Sequence, residues 1–173
     1  SDDINLKGLF KNYKNKYVLF GLEAGAHIYP KNIRIKGLSS EFDCFYKNTF
    51  IDRFYLALGG RHNISNALSV IALGLELGID LKFIKDTLKH YKGAKRRLEI
   101  KFENKDYLLI DDYAHHPTEI KATLSALKNL KFNRLIAVFQ PHRYTRTKLL
   151  SEEFGKSFDL ADYIIVTDIY PAG

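Results

Sequence analysis

The chain has 173 residues, with 27 Lys and Arg against 20 Asp and Glu, a formal charge of +7. Hydrophobic residues make up 46% and charged residues 27%, which excludes a disordered tail, and the single cysteine, Cys44, excludes an internal disulfide framework or a cysteine-built zinc site. No apolar run reaches the ~18–20 residues that span a bilayer and no signal peptide opens the chain, so the expectation is a soluble intracellular protein of one domain or two small ones. The sequence contains no methionine and stops at Tyr170-Pro171-Ala172-Gly173, inside what reads as a loop. Both ends are therefore expected to be cuts in something longer.

Residues 1–60 read as β-rich. Tyr17–Phe20 is a short apolar run closed by Gly21, Ile28–Ile35 alternates around Pro30, and Phe42–Tyr46 and Ile51–Leu58 are aromatic and apolar. Short strands separated by turns predict a small antiparallel sheet. Asn66–Leu77 then carries Leu68, Ile71 and Leu75 near helical spacing, with Gly78 as a stop. Asp80 is placed to cap a second helix running to about Lys92, with Ile84, Leu88 and Tyr91 on one face. Gly93-Ala94-Lys95 reads as a linker, and the domain boundary is placed near residues 93–96.

From Arg96 the pattern is α/β. Arg97–Phe102 and Tyr107–Asp111 predict a hairpin, Thr118–Leu130 a helix, Leu135–Gln140 a strand, Lys148–Leu160 a helix and Tyr163–Thr167 another strand. Strands alternating with helices predict parallel pairing with right-handed crossovers. The fold class is thus α/β: a β-rich antiparallel section with two helices, followed by a partial parallel α/β domain.

Four polar clusters interrupt these elements. Gly59-Gly60-Arg61-His62-Asn63-Ile64-Ser65-Asn66 joins a strand to a helix, where free N–H groups and a positive dipole end are presented. Asn63 and Asn66 fall on one face of that turn, and an amide suits the edge of a nucleobase; equally, Asn63 could be an N-cap and Asn66 a solvated residue. In Lys95-Arg96-Arg97 an arginine could clamp a phosphate, or the run could be a solvated basic linker. Asp111-Asp112-Tyr113-Ala114-His115-His116-Pro117-Thr118-Glu119 lies where a strand ends and a helix begins, the side of an α/β sheet that carries ligands. There Asp could accept from ribose hydroxyls and His could orient or deprotonate an amine, but metal ligation by Asp112 with His115 or His116, or plain helix-start architecture, remains open. In Gln140-Pro141-His142-Arg143-Tyr144-Thr145-Arg146-Thr147 the two arginines could converge on a carboxylate or phosphate; a single-stranded nucleic-acid groove or a basic surface loop are the alternatives.

Together with Gly93-Ala94-Lys95-Arg96-Arg97, these clusters come in the order and spacing of the Mur ligases, which the whole chain resembles; Ser1-Asp2-Asp3 and Asp168–Gly173 resemble stretches of that family too. The resemblance implies ATP-driven amide formation with Mg²⁺, in the bacterial cytoplasm. UDP-N-acetylmuramate, ATP and L-alanine would be the partners, with neither nucleic acid nor membrane among them and the oligomeric state unspecified. It implies that residues 1–95 are the later part of a central ATP-binding domain and 96–173 the first part of a Rossmann-like C-terminal domain. Residue by residue, it places Asn63 and Asn66 around the adenine, Arg97 on a nucleotide phosphate and Asp112 near the ribose. Tyr113, His115, Arg143 and Arg146 would line the amino-acid and acyl-phosphate site, with Arg97, His115, Arg143 and Arg146 as the catalytic set and no metal ligand among them.

Gly59, Ala94 and Leu98 depart from the family's usual proline, valine and aromatic, all at packing or loop positions. A relative in the same family attaches a whole tripeptide to the same sugar nucleotide; Tyr113 and Gln140-Pro141-His142-Arg143 favour the alanine-adding branch. No G-x-x-x-x-G-K-[ST] loop occurs in the chain, so it is expected to be inactive alone.

Overall fold

A computed structural model describes residues 13–172, which divide into two units at Lys92/Gly93. The opening Ser1-Asp2-Asp3 lies outside the described residues. In the first unit β1 (Ile28–Lys36), β2 (Ser39–Tyr46) and β3 (Thr49–Leu56) form an antiparallel meander in that order. Pro30 is tolerated because β1 is an edge strand of the meander. Alternation drives Ile28, Phe42, Cys44, Phe54 and Leu56 onto a buried face, where the Phe42 and Phe54 rings stack with centroids 5.8 Å apart. The expected strand at Tyr17–Phe20 does not form. Only Phe20 bridges to Ile28, and the segment has too few backbone bonds to make a ladder.

Helix α1 (Arg61–Glu76) covers that face with Ile64, Ala67, Leu68, Ile71 and Ala72, and α2 (Leu81–His90) adds Ile84 and Leu88. The helix starts five residues before the periodicity predicted, because its first turn is polar except for Ile64. Its end is a Schellman motif: Gly78 has φ +70°, and the N–H groups of Gly78 and Ile79 donate to the carbonyls of Leu75 and Gly74. Asp80 caps α2 through a 2.7 Å bond from the Lys82 N–H, as its position predicted.

Gly59 leaves no room for a side chain. A Cβ there would lie 2.8 Å from the Gly37 carbonyl oxygen and 3.0 Å from Leu38 Cα, all of it backbone.

The second unit opens with the expected hairpin of β4 (Glu99–Glu103) and β5 (Leu108–Asp111), turned by Asn104, whose side chain accepts from the N–H groups of Asp106 and Tyr107. Helix α3 (Pro117–Leu127) follows, then β6 (Ile136–Phe139), α4 (Tyr144–Leu149), α5 (Ser151–Gly155) and β7 (Tyr163–Val166). Strands β6 and β7 pair in parallel, whereas β5 bonds only to β4 and does not join them.

The single helix expected over Lys148–Leu160 is instead two short ones, interrupted at Leu150 (φ −111°) and finished at Gly155. Phe154 and Phe158, four residues apart, both reach Phe139, at 5.4 and 5.2 Å between ring centroids, beside Ile120 and Leu124. Among the described residues no helix is long and apolar enough to cross a membrane.

Candidate active site

In the first unit, the polar cluster after β3 is the N-terminus of α1, and Gly60 rather than Asn63 is its N-cap (φ 96°). Asn63 is the third residue of the helix. Its side-chain N–H₂ donates 2.8 Å back to the Gly59 carbonyl, which leaves the amide oxygen as an open acceptor. Asn66 is exposed, one turn further along the same face.

The second unit gathers most of the remaining candidates at the carboxyl ends of β5 and β6. Asp112 is tied to backbone: one oxygen accepts from the Leu98 N–H and the other from the Ala114 N–H, both at 2.8 Å. The Leu98 end of that tie sits between backbone strains, since Arg96 (φ 56°) and Leu98 (φ 49°) both occupy the left-handed region. Tyr113 donates its N–H to the Arg96 carbonyl at 2.7 Å, and the Arg96 and Arg97 guanidinium groups lie 5.1 and 6.0 Å from its ring centre. Arg96 also pairs with Asp111 (3.1 Å), while Arg97 reaches Glu119 through two nitrogens at 3.3 and 3.4 Å.

Sequence reasoning quoted Glu119 but gave it no role, and it organises this corner. One oxygen takes the Arg97 fork; the other accepts from the N–H groups of His115 (3.0 Å) and His116 (3.1 Å). The Thr118 N–H returns to His116 Nδ1 at 3.3 Å, closing a capping box around Pro117 at the start of α3. The spacing of three between His116 and Glu119, just ahead of the apolar Ile120, carries that signal, though histidine replaces the usual Ser or Thr. Burial acts to raise the Glu119 pKa, but the His115 N–H, the His115 side chain and Arg97 outweigh it and hold the carboxyl below its usual range.

His115 turns Nδ1 to the Tyr113 carbonyl at 2.9 Å, and its ring meets Tyr113 edge-on at 5.1 Å and His142 at 6.2 Å. Arg143, at φ 72°, is the N-cap of α4; its N–H donates to the Tyr170 carbonyl and its own carbonyl accepts from Thr147. Its guanidinium has no side-chain partner among the described residues. Arg146, one turn along α4, buries Nη1 with no hydrogen-bond partner. Two guanidinium groups with unused donors at one helix start can take an anion.

Of the atoms weighed as metal ligands, the oxygens of Asp112 and the Nδ1 of His115 face backbone partners. Among the described residues no group of three His, Cys, Asp or Glu could hold an ion.

Residues 96–173 match the family model described as "Mur ligase, glutamate ligase domain". Over its whole length the chain is 43% identical to the UDP-N-acetylmuramate–L-alanine ligase of Endomicrobium trichonymphae, covering 39% of that protein. A crystal structure of UDP-N-acetylmuramate-alanine ligase from Thermotoga maritima is 31% identical, with TM-score 0.77 over 88% of this chain and 34% of that one. A murein peptide ligase from Psychrobacter arcticus is 29% identical with TM-score 0.58, over 82% of this chain and 30% of that one. The chain spans about two fifths of the length of the curated relatives it matches.

Proposed function

This chain belongs to the Mur ligase family, and on that premise we propose that the complete protein carrying it uses ATP to join L-alanine to the carboxylate of UDP-N-acetylmuramate, an early step of peptidoglycan synthesis in the bacterial cytoplasm. The observation that carries the choice of L-alanine is the 43% identity, along the whole of this chain, to part of an L-alanine-adding ligase.

On this reading residues 1–95 are the later part of the ATP-binding central domain and 96–173 the first part of the C-terminal domain. Asn63 and Asn66 receive the adenine edge with the amide groups described above. Asp112 orders the loop that meets the ribose, and Arg97, exchanging Glu119 for phosphate, binds the nucleotide. Arg143 and Arg146 hold the carboxylate of the amino acid and the charge that develops on the transferring phosphoryl group, beside Tyr113 and His115.

The muramyl carboxylate oxygen attacks the γ-phosphorus, ADP leaves, and the amine of L-alanine then displaces phosphate from the acyl phosphate. Mg²⁺, when bound, would supply neutralisation of the charge on the transferring phosphoryl group. Among the described residues no group of three His, Cys, Asp or Glu could hold it.

The test is phosphate release by the complete protein with UDP-N-acetylmuramate and ATP. L-alanine is expected to support release and the cell-wall tripeptide is not. Preference for the tripeptide, or release indifferent to the added amine, would overturn the assignment.

A further inference from the structure

Two imidazoles meet in the second unit, and they are differently engaged. Because a carbonyl can only accept, the 2.9 Å contact to Tyr113 places a proton on Nδ1 of His115, so that Nε2 is the acceptor whenever the ring is neutral. His142 has no hydrogen-bond partner on either ring nitrogen among the described residues, yet it is firmly placed. Its backbone bridges to Tyr170, the Arg143 N–H donates 2.8 Å to the Tyr170 carbonyl, and the Tyr170 N–H donates 2.8 Å to Pro141. The Tyr170 ring lies against the His142 ring at 5.4 Å.

The spacing between the two imidazoles is chemically specific. With ring centres 6.2 Å apart, a nitrogen atom in line with one nitrogen of each ring, about 2.8–2.9 Å from both, would subtend close to the tetrahedral angle. That is the geometry of an ammonium group donating two of its hydrogens. The next residue, Arg143, and Arg146 one turn beyond it carry the unused guanidinium donors. An α-amino acid bears its ammonium and carboxylate on the same carbon, so the two imidazoles and the two arginines match its two ends.

We propose that His142 is a further catalytic residue, the group that takes a proton from the ammonium of the incoming amino acid while His115 Nε2 holds the same nitrogen in place. This rests on the acyl-phosphate reading of the site given above. The groups facing His142 are Arg143 and Arg146 from its own loop and helix, His115 from the β5–α3 loop and the Tyr170 ring. Burial, then the two arginines and, when it is protonated, His115 push the His142 pKa below its ordinary value, so at neutral pH the imidazole is unprotonated and able to accept.

The protons balance. The ammonium gives one to His142, and the amine lone pair attacks the acyl carbon, forming the C–N bond and a tetrahedral intermediate. The intermediate collapses as the carbon–oxygen bond to phosphate breaks. A second proton leaves the nitrogen with the departing hydrogen phosphate, and His142 returns its proton to water.

A pair of nucleophiles separates this role from mere support of the fold. L-alanine reaches the site as an ammonium ion, whereas hydroxylamine is already unprotonated at neutral pH and traps acyl phosphates as hydroxamates. In the complete protein at pH 7, His142→Gln is expected to slow amide formation with L-alanine about 100-fold while hydroxamate formation stays within about threefold of wild type. His142→Asn should behave the same way, and hydroxamate formation certifies that either variant is folded. An equal loss with both nucleophiles, or unchanged turnover of L-alanine, would overturn the proposal. Wild-type protein that makes neither amide nor hydroxamate would instead show that the acyl-phosphate reading is wrong, and the role of His142 would fall with it.

Discussion

Arg146→Ala in the complete protein is expected to lower amide formation about 100- to 1,000-fold while shifting the unfolding midpoint by no more than about 2–4 °C. The two halves of that expectation come from the same atom. Nη1 of Arg146 is buried without a hydrogen-bond partner, and leaving such a donor unpaired costs about 1–3 kcal/mol in the folded state. Truncation removes that cost and offsets the packing lost with the side-chain stem. What cannot be offset is the fork itself, because a planar guanidinium meets a carboxylate or phosphate through two parallel bonds. Arg146→Lys keeps the charge without the fork and should fall between the two. A variant that kept wild-type turnover would remove Arg146 from the site, and one that lost activity only because it unfolded would make the residue structural.

The second large effect concerns Glu119. Glu119→Ala strips the acceptor from two backbone N–H groups and from Arg97, and should destabilise the chain by about 2 kcal/mol at neutral pH, the scale of a lost helix cap together with a charge-assisted bond. Glu119→Gln retains the shape and one acceptor, so it should cost less.

The pH dependence has a definite sign. The folded carboxyl titrates below its ordinary range, so its stabilisation is fully present above the unfolded value of about 4.3 and is lost as pH falls through the depressed folded value. Urea unfolding of the chain and of Glu119→Gln at pH 7 and in acid should therefore show a gap that closes as the pH drops. A gap that is constant with pH, or absent at pH 7, would mean that the ionised carboxylate contributes nothing.

The sequence carried the meander, both central helices and the hairpin because each is written in local terms: alternation in β2 and β3, i, i+4 spacing through Ile84 and Leu88, and an Asp and a Gly at the expected ends. It misled where tertiary packing overrides local pattern. Lys148–Leu160 reads as one helix, but the chain breaks at Leu150 and leaves the helix after Gly155, while Phe154 and Phe158 both pack on Phe139. Tyr17–Phe20 is apolar enough for a strand and lacks the partner length to become one.

The candidate site shows the same division. Its residue types and order were visible in the chain, as was the placement of two polar clusters after strands. Their internal wiring was not. That Asp112 binds two backbone N–H groups, that Glu119 joins Arg97 to the His115–His116 turn, and that Tyr170 fixes His142 from 28 residues away all depend on contacts across the fold. Positive φ at Arg96, Leu98 and Arg143 is likewise invisible in residue type, since none of these side chains favours it.

The most direct measurement of the central claim follows oxygen. The complete protein is given UDP-N-acetylmuramate labelled with ¹⁸O in the lactyl carboxylate, together with ATP and L-alanine, and the released phosphate is analysed by mass. Attack of the carboxylate on the γ-phosphorus carries one labelled oxygen into inorganic phosphate and leaves ADP unlabelled. Label appearing instead in AMP, or phosphate released without label while amide accumulates, would contradict the acyl-phosphate chemistry proposed for the complete protein.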